Sequence, residues 1–232
     1  MRDDLRWIAH TGLTFNAPLS DERADALVRA LPISPGHHVL DLGCGWGELL
    51  LRLVRAHPAT TGTGVDTDRR ALDRGRTLAA QRGLHDRVEF VQAEASSFED
   101  HGDVVVCVGS SHAFGGSAAA LHALRGRVGA GGLLLHGDGF WAQKPGAVAR
   151  RAIGELPGFD ELLASAQAAG FRIEHADRSS LEEWDAFEAG WRSGLEASSD
   201  ADALALAAER KHAYENGYRG ALGFAWLVLA PG

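Results

Sequence analysis

The sequence predicts an α/β protein built on a doubly wound, mostly parallel sheet. Short apolar runs recur along the chain, each followed by a stretch of helical apolar spacing. Those runs are apolar at nearly every position, as strands covered on both faces by helices must be. One of them carries Val39-Leu40-Asp41-Leu42 into Gly43-Cys44-Gly45-Trp46-Gly47, after which a helical pattern resumes. That is the layout of a strand, a tight loop and the first turn of a helix. With 232 residues the chain is long enough to bury a substantial core, and no repeat, low-complexity tract or linker divides it. One domain is expected.

In chain order, the segment up to Ala30 reads as two short helices around a polar turn. Leu5, Ile8 and Ala9 form a partial apolar face, and Ser20 is placed to cap residues 21–30. Pro32 and Pro35 punctuate a link to the core. Strands and helices then alternate: strand 37–41, helix 46–56, strand 61–66, helix 68–82 ended by Gly83, and strand 88–92. Strand 104–108, helix 117–128 and strand 133–136 follow. After Gly139 the pattern loosens into helices at 144–153 and 159–169, a strand at 170–174, helices at 181–196 and 201–216, and a final apolar run at 224–230. Leu181, Trp184, Phe187 or Glu188, Trp191 and Leu195 fall on one helical stripe, which reads as core.

Composition narrows the partners. The net charge is −8 and there is no run of Lys or Arg, so a nucleic-acid partner is not expected. No apolar stretch spans a bilayer, and Met1-Arg2-Asp3-Asp4 does not open as a signal peptide, so a cytoplasmic protein with no membrane partner is expected. The two cysteines do not make a disulfide framework. The 11 histidines fall into no metal-ligand spacing, so no metal site is expected.

The loop spacing is Gly43-x-Gly45-x-Gly47, not the G-x-G-x-x-G of a dinucleotide loop, and no Lys-Ser or Lys-Thr follows as in a P-loop. Carboxylates on each side, Asp41 and Glu48, would repel a pyrophosphate and suit a cofactor carrying a sulfonium and an ammonium group. The stretch resembles the first motif of class I S-adenosylmethionine-dependent methyltransferases, and the resemblance is specific over residues 39–136. It implies a Rossmann-like, seven-stranded sheet whose last strand, here Phe224–Ala230, runs antiparallel. Residues 1–30 would then be a helical arm, 37–178 the cofactor-binding core, 179–220 a helical insertion and 222–230 the final strand.

Ligands of such sheets bind beyond the carboxyl ends of the strands. The resemblance places the cofactor against Asp41, Gly43, Gly45 and Gly47. Asp66, about 20 residues further on, suits ribose hydroxyls, with Thr67 beside it. Capping of the next helix is the other role open to Asp66, although Thr67 or Asp68 could equally supply it. Glu94 would meet the adenine amino group and the Ala95 N–H the ring, and Gly109 ends the next strand beside them. Asp/Asn-Pro-Pro-aromatic and Pro-Cys signatures of base methylation are absent. Ser110-Ser111-His112-Ala113-Phe114-Gly115-Gly116 instead looks like the strings of bacterial small-molecule enzymes. His112 is the candidate base that takes a proton from an O–H or N–H acceptor; a purely structural role, with catalysis by alignment alone, is the alternative. Phe15, Phe114, Phe140 and Trp141 are the candidate acceptor-binding aromatics, with residues 1–30 and 179–220 as a lid. The expected activity is methyl transfer from S-adenosylmethionine to O or N of a small metabolite, with S or C as the other acceptor atoms open to it, giving S-adenosylhomocysteine, by a monomer or homodimer. Other uses of the same cofactor, such as cyclisation or another group transfer, and a non-catalytic cofactor-binding module remain as alternatives.

Overall fold

The computed structural model describes residues 3–232. Met1 and Arg2, the start of the arm and of the stretch read for a leader, lie outside the described residues. The strands are β1 (His38–Leu42), β2 (Thr61–Asp66), β3 (Val88–Gln92), β4 (Gly102–Val108), β5 (Val128–Trp141), β6 (Phe171–Arg178) and β7 (Leu222–Pro231). The helices are α1 (Asp3–His10), α2 (Asp21–Ala30), α3 (Glu48–Ala56), α4 (Arg69–Gln81), α5 (Ser117–Arg125), α6 (Ala147–Ile153), α7 (Phe159–Ala168), α8 (Leu181–Glu196) and α9 (Ala201–Ala213). The strands form one seven-stranded sheet in the order β3-β2-β1-β4-β5-β7-β6, parallel except for β7. The chain winds outward from β1 to β3 and then returns to lay β4 on the other side of β1, so the order reverses between β1 and β4.

Burial explains why the central strands are apolar at nearly every position. Val39, Leu40 and Leu42 of β1 and Val104, Val105, Val106 and Cys107 of β4 are all buried. Val39, Leu40 and Asp41 pair in register with Val104, Val105 and Val106. Asp68 starts α4 as its cap, its side chain accepting from the amides of Arg70 and Ala71.

Several boundaries differ from the sequence expectation, and those of α5 and β5 do so for a physical reason. Helix α5 ends at Arg125 and β5 already begins at Val128, because the strand absorbs the glycines at 129, 131 and 132 as an irregularity. Gly102 pairs with Val128, but Val104 pairs with Leu133. At its other end β5 continues through Phe140 and Trp141, so these two lie within the strand and not after it.

The chain packs as two compact units. One comprises Asp21–Asp138, Asp160–Asp177 and Ala225–Gly232 and contains most of the sheet. The other is assembled from Met1–Ser20, Gly139–Phe159 and Arg178–Phe224, so α1 belongs to it and α2 does not. In the second unit, Ser20 donates to Glu183 from both its amide (3.1 Å) and its hydroxyl (2.8 Å), and Ser179 Oγ donates to Pro18 O (2.6 Å). Glu183 also completes a capping box with Ser180 at the start of α8. The buried face of α8 carries Trp184, Glu188, Trp191 and Leu195, whereas Leu181 is exposed. Glu188, 0% exposed, accepts from Arg210 Nε and Nη2 (2.8 and 2.9 Å) and from the Tyr218 hydroxyl (3.0 Å).

Candidate active site

The site lies in the first unit, where β1, β2 and β4 end. The three glycines of the loop do different work. A Cβ on Gly43 would collide with Ser110, whose hydroxyl donates to Leu42 O (2.8 Å) and ties the end of β4 to the loop. A Cβ on Gly47 would lie 2.6 Å from the Phe90 ring, so this glycine seats the start of α3 against β3. Gly45 has a left-handed φ of 56° and nothing within 4 Å of its Cβ position. It is the loop position whose backbone a ligand can approach without obstruction.

Asp66 stands opposite. Its Oδ2 accepts from the Gly45 amide (2.8 Å) and its Oδ1 from the Asp68 amide (2.9 Å). Each oxygen keeps a further acceptor position, so a carboxylate already engaged by the backbone can still take two hydroxyl donors. Helix capping falls to Asp68, and Thr67 is exposed with its carbonyl taken by the Gln92 side chain (3.0 Å).

Asp41 is 4% exposed, and its carboxylate has no hydrogen-bond partner among the described residues. Burial, reinforced by the charge of Asp66, pushes its pKa up to about 8. A buried acid facing a second acid is relieved by a cation arriving between them. The other loop carboxylate does not share this condition: Glu48 turns away into ion pairs with Arg52 (2.9 Å) and Arg82 (2.7 Å). The expectation of a carboxylate acting from each side of the loop therefore reduces to Asp41, because two arginines already neutralise Glu48. An unpartnered Asp41, an open Gly45 and the spare acceptor positions of Asp66 fit a cofactor with positive charge and ribose hydroxyls.

The remaining expected site residues separate by exposure. Glu94 is exposed at the start of the short helix Ala95–Ser97, and Ala95 is buried beneath it. Gly109 ends β4 in a left-handed conformation, its amide donating to Gly137 O (2.8 Å). His112 and Phe114 lie on the short helix Ser111–Phe114; the histidine is exposed with no side-chain partner among the described residues, and Phe114 is half-buried. The other unit contains Phe15, Phe140 and Trp141. Phe15 is buried, and Phe140 is 1% exposed, stacked near Phe159 (5.1 Å) with Arg178 over both rings. Trp141 is buried with its indole N–H unpartnered. No group of three or more metal-ligating side chains occurs among the described residues, and none of their helices is long and apolar enough to cross a membrane.

Sequence reasoning passed over His136 and Asp138, which lie within β5, and Ser117, the first residue of α5. His136 is 0% exposed and both ring nitrogens lack a partner. Burial pushes it below the usual imidazole range, against the pull of Asp138. Ser117 Oγ donates to Asp138 Oδ2 (2.5 Å), and His136 Nε2 lies 3.9 Å from the same oxygen. A histidine closing an apolar strand gives no such signal in the sequence; its neighbours come from pairing with β4.

A family model described as "Methyltransferase domain" matches residues 39–132. The protein YjhP of Escherichia coli (strain K12) is 32% identical over 200 residues, covering 80% of this chain and 79% of that protein. The chain belongs to the class I S-adenosylmethionine-dependent methyltransferases. Two solved methyltransferases, each in complex with S-adenosyl-L-homocysteine, are similar over essentially their whole length. The one from Geobacter sulfurreducens has 28% identity, a TM-score of 0.90 and coverage of 100% of this chain and 99% of that one. The one from Thiobacillus denitrificans has 27% identity, a TM-score of 0.88 and the same coverages. The methyltransferase fold shared with them includes the antiparallel last strand. S-adenosylmethionine is the methyl donor of this methyltransferase.

Proposed function

We propose that this methyltransferase moves the methyl group to a nucleophilic oxygen or nitrogen of a small-molecule acceptor, releasing S-adenosylhomocysteine. The observation that carries the reading is Asp41, a buried carboxylate without a partner, beside the open backbone of Gly45 and the part-engaged carboxylate of Asp66. Bound, S-adenosylmethionine supplies a methyl group on a positively charged sulfur. Asp41 faces its cationic part, Asp66 takes the ribose hydroxyls with Thr67 alongside, and Glu94 with the Ala95 amide meets the adenine. Gly43, Gly47 and Gly109 shape the backbone around it.

The acceptor atom bonds to the methyl carbon as the carbon–sulfur bond breaks and its electron pair stays on sulfur. His112 receives the O–H or N–H proton, as an imidazole near neutrality is suited to do. Holding the reacting atoms in line supplies much of the acceleration. Phe114 is the aromatic contact on the same short helix as His112. Phe15, Phe140 and Trp141 belong to the second unit, and the unpartnered indole N–H of Trp141 makes it the one of the three with a polar edge to offer. A net charge of −8 without a basic run favours a small acceptor over a nucleic acid.

The test is a panel of hydroxylated and amino metabolites incubated with the protein and S-adenosylmethionine, with the cofactor products separated. Acceptor-dependent S-adenosylhomocysteine is expected. Methylthioadenosine in its place would show that another group leaves the sulfur.

A further inference from the structure

Three polar side chains meet between β5 and the start of α5, and none belongs to the proposed cofactor contacts. Ser117, the first residue of α5, donates to Asp138 Oδ2 at 2.5 Å. His136 precedes Asp138 by two positions, which places both on one face of the strand. Its Nε2 stops 3.9 Å from the same Oδ2, beyond hydrogen-bond reach. Neither ring nitrogen has another partner, although the ring is 0% exposed. A buried imidazole in this condition forfeits the hydrogen bonds that water would give it. Ser111, which follows β4, also has a buried hydroxyl oxygen without a partner. This set adjoins the cofactor side: Cys107, paired with His136 across the β4–β5 ladder, lies within electrostatic range of both Asp41 and Asp138.

We propose that Asp138, positioned by Ser117 and backed by His136, is an acceptor subsite that binds a hydroxyl or amino group of the methylated molecule. The inference rests on the methyl-transfer reading and narrows its substrate class. A carboxylate only accepts hydrogen bonds, so the incoming group must be a donor. Asp138 keeps 13% of its side chain exposed, enough for one polar group to arrive from solvent. Both ring nitrogens of His136 are closed to solvent, so the arriving group meets the Asp138 carboxylate while the imidazole backs it from inside. A carboxylate or phosphate on the acceptor would be repelled from this position.

The experiment has one readout without turnover and one with it. Nitrogen-15 spectra of histidine-labelled protein saturated with S-adenosylhomocysteine follow the His136 ring in wild type, Asp138→Asn, Ser117→Ala and Ser117→Thr. The ring signals are expected to move in Asp138→Asn and Ser117→Ala and to return in Ser117→Thr, with S-adenosylhomocysteine affinity within about threefold throughout. For turnover, each active compound of the metabolite panel is compared with its counterpart lacking one hydroxyl or amino group. Wild type should prefer the complete compound, and Asp138→Asn should reduce that preference at least tenfold. His136 signals indifferent to all three substitutions, or an unchanged preference in Asp138→Asn, would overturn the subsite. Failure of the underlying reading looks different: wild type itself would bind S-adenosylhomocysteine yet methylate no compound, and the subsite would fall with it.

Discussion

Asp66 holds the amide of Gly45 at 2.8 Å across the gap between two strand ends, while its second oxygen holds the amide of Asp68. One carboxylate thereby sets the glycine loop after β1 and the start of α4 together. Asp66→Ala should weaken S-adenosylmethionine binding by about 1.5–3 kcal/mol, the range for a charged hydrogen-bonding group. On the proposed ribose contact, calorimetry with adenosine alone should show a loss too; an unchanged adenosine affinity would leave Asp66 as a loop anchor only.

On the proposed contact with the cofactor's cationic part, Asp41 should tie cofactor binding to pH. Its pKa is raised in the folded protein, from the ordinary carboxylate value of 3.8 to about 8, so the folded state holds a proton that the unfolded state gives up. Stability of the cofactor-free protein therefore falls as pH rises through that window. An arriving cation favours the ionised carboxylate, so binding should release up to one proton and tighten by up to about tenfold per pH unit from pH 6 to 7. Asp41→Asn should flatten this dependence, weaken binding and raise the melting temperature at pH 9. Calorimetry in buffers of different ionisation enthalpy measures the proton.

The loop glycines should separate stability from binding. Gly47→Ala pushes a methyl group into the Phe90 ring from a left-handed backbone, and denaturant unfolding should show a loss of about 1–3 kcal/mol. Gly45→Ala has free space around it, so it should cost about 1–2 kcal/mol from backbone strain while reducing cofactor affinity more than Gly47→Ala does.

His112→Ala should leave cofactor affinity nearly intact and lower turnover by roughly 10²–10⁴-fold. Near-normal turnover on the true acceptor would leave alignment as the main catalytic device.

Glu188→Ala removes a buried carboxylate from Arg210 and Tyr218 together. A loss of about 3 kcal/mol is expected, at the lower end for a broken buried pair because Arg210 is 28% exposed. Urea unfolding measures it. Replacement by Gln should recover part of the loss through the Tyr218 hydroxyl bond.

Much of the fold was legible because local signals coincide with real boundaries. Strands 61–66 and 88–92 and helix 181–196 begin and end where the apolar pattern and its turn residues indicate. The course of β5 was not legible, since Gly129, Gly131 and Gly132 read as a turn until a neighbouring strand makes them an irregularity in a ladder. The acid at Glu48 illustrates the limit for the site. Its i,i+4 partner Arg52 is visible in the sequence, but Arg82 arrives from the far end of α4 and removes the free charge. The condition of His136 is likewise a product of strand pairing, with no local pattern to announce it.

The second unit is stitched from three stretches of chain, with Ser20 and Pro18 of the first bonded to Glu183 and Ser179 of the third. This has a consequence for recombination between related genes. A crossover that imports Arg178–Phe224 alone brings Glu183 and Ser179 against a foreign N-terminal stretch, and one that imports the N-terminus alone does the reverse. Functional chimeras should therefore be recovered chiefly when both stretches share one parent, so that positions 161 and 163 residues apart are inherited as a block.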